Sequence, residues 1–285
     1  MRRLWGSGIC ACVLVACAVA LLIGQGRERD RAKALVKSLL RSDSAHALNR
    51  VRFSSLSELP SPVVRYFRHV LTAGQPLIRS AAIWQSGTIR TSTTSDRWRP
   101  FTAEQVVAPV NRGFLWNAKV QMPLALHMRV LDSYADGVGS GRVTLLSALA
   151  VGSDSGVPEL NSGALHRYLA EAVWYPTALL PQSGVSWAPI GDHAAMATLT
   201  DKGTTVSLEF RFNDADEVVS VYSPGRFSRI DGTYRQVPWE GHFRNYALKS
   251  GMRVPRYGEV GWYEGSEWKV VWKAEITQQT MELDH

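Results

Sequence analysis

Hydrophobic and polar positions fall into three regimes along the chain. From Leu4 to Ile23 every residue is apolar or small, and no charged side chain stands between Arg3 and Arg27. That run matches the roughly 20 residues a helix needs to cross a bilayer, so the expected first element is a transmembrane anchor or signal segment over 1–26. Three processing fates compete. Arg2 and Arg3 before an apolar run also describe a signal peptide, with Ala18-Val19-Ala20 as a cleavage site, and Leu14-Val15-Ala16-Cys17 resembles a lipobox. The apolar run continues through Leu21, Leu22 and Ile23 beyond both sites, where a mature N-terminus is normally polar; this favours an uncleaved anchor.

The second regime, 27–50, is basic with Ala34, Leu35, Leu39, Leu40 and Leu48 loosely at helical spacing, which predicts a juxtamembrane helix or linker. The third regime alternates between helical and strand periods. Ser61-Pro62 offers an N-cap and a proline in the first turn, and Val63, Tyr66, Phe67, Val70 and Leu71 share one helical face, with Gly74 as the expected stop. Beyond Pro76 the period drops to two. Segments 83–90, 102–107, 113–120 and 126–134 read as strands, with Asp136-Gly137 and the glycines after it as a hairpin loop. One helix interrupts them: Asn161 can cap it, Leu160 and Leu165 can form a hydrophobic staple, and Trp174-Tyr175-Pro176 ends it. Strands resume over 194–200, 204–212, 217–223, 241–246 and 258–276.

The fold class expected is therefore α+β: an N-terminal transmembrane helix followed by a curved antiparallel sheet packed against a few helices. A single domain over 51–280 and a tail over 281–285 follow, since no linker or repeat divides the chain.

Composition narrows the chemistry. With 45% hydrophobic and 20% charged residues the chain is a folded protein. The formal charge of +7 is concentrated near the N-terminus. Arg2 and Arg3 are the only charges before Arg27, and the six basic residues from Arg27 to Arg41 stand against Glu28 and Asp30 alone. The remaining domain is close to neutral, which argues against a nucleic-acid partner. All three cysteines lie in the apolar run, so the domain has neither disulfides nor a thiol nucleophile. The seven histidines have no H-E-x-x-H or H-x3-H spacing, no serine sits in G-x-S-x-G, and the glycines at 137–141 fit no phosphate-binding pattern. No metal or cofactor is expected, and nothing fixes the oligomeric state.

Nine of the ten tryptophans lie beyond the apolar run, most in presumed strands, where they serve as core or line an aromatic cavity. The central helix carries Arg167, Tyr168 and Glu171 just before Trp174 and Tyr175. If a sheet wraps this helix, a charge on its inner face requires a partner, and Arg167 or Glu171 can fix a ligand headgroup; a plain surface ion pair is the competing reading. Arg226 and Trp239 are further candidates for a pocket rim.

With those residues in view, the chain resembles a family of uncharacterised bacterial membrane-anchored proteins. The matching pieces include Leu59-Pro60-Ser61-Pro62-Val63, Trp98-Arg99-Pro100-Phe101, Gly113-Phe114-Leu115-Trp116, Arg167-Tyr168-Leu169-Ala170-Glu171-Ala172, Pro176-Thr177-Ala178-Leu179-Leu180-Pro181, Pro238-Trp239 and Gly251-Met252-Arg253-Val254-Pro255. The order of elements is more distantly similar to the half-barrel of LolA-like lipoprotein carriers, which implies a concave apolar sheet that holds acyl chains. The expectation is a non-catalytic binding domain for a lipid or acyl chain in the cell envelope, held by its N-terminal helix in the cytoplasmic membrane and facing outward. The alternatives are a membrane-bound hydrolase using residues such as Glu171 and His166, and a structural partner in an envelope complex. The basic stretch after the apolar run favours the opposite side by the positive-inside rule. Paired C-terminal reporters, one active only outside the cytoplasm and one only inside, are expected to give signal from the outside reporter; signal from the inside reporter reverses the orientation.

Overall fold

The computed structural model describes residues 2–41 and 50–284, with side chains of the first helix described at Cys12 and from Val15 onward. Leu48 and His46 lie outside the described residues. The first helix, α1 (Arg2–Leu39), is followed by α2 (Ser61–Val70) and then by six strands: β1 (Ile78–Ile89), β2 (Arg99–Ala108), β3 (Gly113–Gln121), β4 (His127–Ala135), β5 (Val138–Leu145) and β6 (Leu149–Ser155). Helix α3 (Pro158–Glu171) and three short 3-10 turns lead to seven more: β7 (Val185–Gly191), β8 (Ala194–Asp201), β9 (Thr204–Phe212), β10 (Val218–Ile230), β11 (Thr233–Lys249), β12 (Met252–Glu264) and β13 (Glu267–Leu283).

All thirteen strands form one open antiparallel sheet in the order β6-β5-β4-β3-β2-β1-β13-β12-β11-β10-β9-β8-β7. The first and last strands pair at its centre, from Ile78 opposite Leu283 to Ile89 opposite Trp272. Each half is a meander, and the segment between the halves is the one containing α3. That helix packs on β4 and β5 of one arm and on β9 and β10 of the other. The arms also touch directly: Tyr134 of β4 donates to Asp201 of β8 at 2.9 Å, and Tyr234 of β11 donates to Asp154 of β6 at 2.7 Å. The sheet thus curls around α3 without closing its hydrogen-bond ladder.

Period-two alternation produces this shape. In β9, Val206, Leu208, Phe210 and Phe212 are buried while the residues between them are not; in β2, Phe101, Ala103, Gln105 and Val107 do the same. The inner face, α2 and α3 share one core, to which Tyr66, Phe67, Leu165 and Leu169 contribute.

Several boundaries differ from expectation. Helix α2 stops at Val70, because Leu71 is extended and the Thr72 N–H is taken by the Gln75 side chain at 2.6 Å. Helix α3 starts at Pro158 with Val157 as N-cap. Asn161 is therefore not the cap; its Oδ1 accepts the Gly139 N–H at 2.8 Å and ties the helix to β5. Segment 258–276 is part of a hairpin that turns at Gly265, and β5, β6 and β7 are strands the sequence pattern did not mark. β13 runs to Leu283, past the expected domain end at 280. Of the expected loop over 136–141 only Asp136 and Gly137 form the turn, with φ of 51° and 83°; Val138 to Gly141 belong to β5.

The basic stretch is not a free linker over its helical part. It continues α1 and packs Ala32, Leu35, Val36 and Leu39 on the outer face of the sheet against Ala108, Leu115 and Leu131. Glu28 is buried there and accepts from Arg142 of β5 at 2.8 and 3.0 Å, and these bonds hold its carboxyl below the usual carboxylate range. Among the described residues, no helix is long and apolar enough to cross a membrane.

Leu169 of α3 is fully buried between the arms. Leu169→Ala is expected to lower unfolding free energy by about 2–5 kcal/mol, read as a lower denaturant midpoint at unchanged slope; a smaller change shows that the arms do not depend on the helix between them.

Candidate functional site

Helical spacing places Arg167, Ala170, Glu171 and Trp174 on the face of the central segment that looks at the inner sheet surface, and all four line one pocket of about 260 Å³. Its other walls are Trp116, Asp132, Arg226, Trp239, Phe243 and Trp272. Half-buried Ile89, Val260, Trp262 and Val271 form its rim, and Trp174, Phe243 and Gly258 form a buried floor. Gly258 is required at the floor, since a Cβ there would lie 2.9 Å from Trp174 Cζ2.

Arg167 is the electrostatic centre. Its Nε donates to Glu171 Oε1 at 2.8 Å, its Nη1 donates to Asp132 Oδ2 at 3.2 Å, and its guanidinium lies 4.9 Å from the ring centre of Trp116. Burial works against this charge, but Glu171 and Asp132 more than offset it and raise the pKa of Arg167. The second oxygen of Glu171 accepts from Gln105 at 2.5 Å; Gln105 accepts from Gln85 at 3.1 Å, and Gln85 accepts from Trp116 Nε1 at 2.7 Å. This relay satisfies a row of polar groups that the inner face would otherwise leave without partners. The side chains of Arg167 and Glu171 keep only 19% and 13% of their surface, so the pair is not a solvated surface bridge.

Arg226 reaches the same pocket by a different device. In the β10–β11 register, Ser223 faces Trp239 and Arg226 faces Val237, so Pro224 and Gly225 oppose Pro238 alone. The extra residue is a bulge, and because side chains alternate, it turns Arg226 to the inner face it would otherwise miss. There its guanidinium lies 4.8 Å from the ring centre of Trp239 and 5.3 Å from that of Trp262, and it donates to the Gly163 carbonyl at 3.0 Å. No carboxylate comes within 4 Å of it among the described residues. Burial, aided by repulsion from Arg167, lowers its pKa to about 10.

The indole N–H groups of Trp174 and Trp239 are buried and make no hydrogen bond. Asp132, although deep in the fold, keeps 39% of its side-chain surface open; burial raises its pKa against the pull of Arg167.

Of the candidates from the sequence, Arg167, Glu171, Trp174, Arg226 and Trp239 converge on this pocket. Tyr168 and Tyr175 do not. Both are buried behind it, Tyr175 donating to the Tyr168 carbonyl at 2.8 Å and Tyr168 to the Pro109 carbonyl at 3.3 Å. Sequence reasoning missed Asp132, Phe243 and the two glutamines, and it left Trp116, Trp262 and Trp272 between core and cavity lining; they line the pocket. Asp132 was hidden because its neighbours face opposite sides, Leu131 packing outward under α1 while Asp132 points inward. His166, paired with Glu171 in the hydrolase alternative, does not line the pocket. Its Nδ1–H donates to the Ser162 carbonyl at 2.9 Å. Among the described residues, no group of three or more His, Cys, Asp or Glu could hold a metal ion.

The chain belongs to the family of unknown function DUF6544, which matches residues 49–274. Two solved structures match the chain at low identity. One is a LolA superfamily protein from Nitrosomonas europaea, at 9% identity and TM-score 0.40, covering 81% of this chain and 94% of that one. The other is a beta-barrel-like protein of domain of unknown function DUF1849 from Brucella abortus, at 12% identity and TM-score 0.22, covering 73% and 99%. No curated protein matches the chain.

Burial, with the nearby charge of Arg226, lowers the His166 pKa from 6.5 to about 4. The unfolded chain takes up this proton first as pH falls. Stability tied to neutral His166 is therefore complete above about pH 6.5 and is lost towards pH 4, by up to about 3 kcal/mol. His166→Gln is expected to flatten the stability profile across that window in denaturant titrations; an unchanged slope excludes His166 as its source.

Proposed function

We propose that this protein is a non-catalytic binding domain for a small hydrophobic ligand with an acceptor-rich or acidic head, such as an acyl chain. The single observation that carries this reading is an aromatic pocket that holds Arg226 with no carboxylate within 4 Å of it among the described residues. A buried charge normally has a direct partner, yet Arg226 rests on two tryptophan rings and one backbone carbonyl, and Glu171 and Asp132 attract it only from beyond 4 Å. A carboxylate or ester oxygen supplies what Arg226 lacks, while Trp116, Trp262, Trp272 and Phe243 surround an apolar body. The volume of about 260 Å³ lies just below the range of about 300–1,000 Å³ typical of ligand sites, which suits one short chain or one end of a longer one. The apolar run at residues 4–23 tethers the domain to the cytoplasmic membrane, and the domain lies outside the cytoplasm.

A second reading, hydrolysis, draws on Asp132. Its carboxyl is pushed toward the protonated form beside Glu171, as a general acid requires. Both carboxylates are engaged by Arg167, however, and no nucleophile joins them.

Organic extraction and native mass spectrometry of the purified full chain are expected to reveal one apolar species with an oxygen-bearing head. Added dodecanoate is expected to shift tryptophan emission, with Arg226→Gln weakening its binding by about tenfold or more, the value of a charge-assisted hydrogen bond. A protein that carries no such species and shows no emission shift overturns the binding reading. Turnover of an ester that Asp132→Asn abolishes favours the second.

A further inference from the structure

The exposed apolar side chains of the sheet domain are unevenly placed. Leu124 is 91% exposed, Leu126 is exposed beside it, and Leu149 and Val151 are exposed on the edge strand β6. Single exposed apolar residues need no explanation, and Val138, Ile190 and Leu248 stand apart from one another at the other end of the sheet, but these four gather on three neighbouring strand ends. Leu124 and Ala125 form the β3–β4 turn at φ of 60° and 57°, a left-handed conformation unfavourable for both, so the turn holds a leucine out in solvent at a conformational cost. The β5–β6 turn, 146–148, lies at the same strand ends, with the Leu146 N–H donating to the His127 carbonyl at 2.9 Å.

Helix α1 leaves the domain at this end. Gly24 seats against Ala148 so closely that a Cβ would lie 2.8 Å from the Ala148 Cβ, and Gln25 donates to the Leu146 carbonyl at 3.1 Å. Together with the Glu28–Arg142 pair, these contacts fix the direction of the helix just where its apolar run ends. Val15, Val19, Leu22 and Ile23 are exposed before that point. Just after it, Arg27 and Arg29 are exposed, and the groove between α1 and the sheet carries Arg29, Lys33, Lys37 and Arg129 against Glu104. An apolar rim bordered by basic side chains has the layering of an anionic bilayer surface.

We propose that this rim is a second lipid contact: Leu124, Leu126 and Leu149 seat the domain on the anionic bilayer that holds its N-terminal helix. The half-buried rim of the aromatic pocket, at Ile89, Trp262 and Val271, lies toward the same ends of neighbouring strands β1, β12 and β13. Docking therefore brings the pocket mouth near the lipid, and a ligand passes between bilayer and pocket over a short path. The inference rests on reading residues 4–23 as the tether, and the experiment separates the two.

The full chain with Cys10→Ser, Cys12→Ser and Cys17→Ser is given a single cysteine by Leu124→Cys and labelled with an environment-sensitive fluorophore. It is then reconstituted into phosphatidylcholine–phosphatidylglycerol vesicles. The control is Val138→Cys, exposed at the opposite end of the same β4–β5 hairpin, about 23 Å along the strand. The label at 124 is expected to shift to the blue and to lose most of its emission to a quencher on the lipid chains, while the label at 138 responds to neither. Protein that floats with vesicles while both labels stay aqueous overturns the docking alone. Protein that does not float at all overturns the tether as well. A blue shift at 124 that persists without lipid shows contact with another copy of the chain and overturns the lipid assignment.

Discussion

Arg167 sets the terms for the interior of this fold. A sheet that curls around a helix removes water from that helix on nearly every side, and a guanidinium inside must be neutralised where it stands. Glu171, one turn along the helix, and Asp132, from the opposing strand, do so. The remaining oxygen of Glu171 then needs a donor, which Gln105 supplies, and Gln105 is in turn held by Gln85 and Trp116 across three adjacent strands. One buried charge thus fixes the helix against β4 and specifies polar residues at inner positions of β1 and β2.

Arg226 stands differently from Arg167. The two arginines share one pocket, but only Arg167 has carboxylate partners within reach; Arg226 rests on tryptophan rings and a backbone carbonyl. Its presence there depends on one inserted residue in β10, which reverses the face of everything after it. A bulge in β13 acts likewise near Thr277: it turns Gln279 inward, where its amide donates to the Trp174 carbonyl at 2.6 Å and steadies the pocket floor. Register irregularities, more than the regular strands, shape the pocket.

The outer face answers a different constraint. Helix α1 is amphipathic only from residue 28 onward, where an ion pair and a short apolar stripe clamp it to the sheet. Before that point its exposed valines and leucines have no protein surface to cover them.

The sequence by itself determined what local patterns can carry. Period-two alternation located most strands, proline and glycine marked the turns, and the i, i+4 pair with its aromatic shoulder marked α3 as the centre of interest. Five of the seven candidate residues meet in the pocket, three of them because helical spacing put them on one face. What only tertiary structure decided was which face looks inward. Tyr168 and Tyr175 read as pocket residues in one dimension, yet they point behind it. Asp132 and the two glutamines read as ordinary strand polar positions, yet the curl of the sheet brings them to Arg167. Alternation distinguishes two faces but does not say which is buried, and a single bulge exchanges them; the partner of a buried charge is chosen by that long-range register, which no local window of sequence contains.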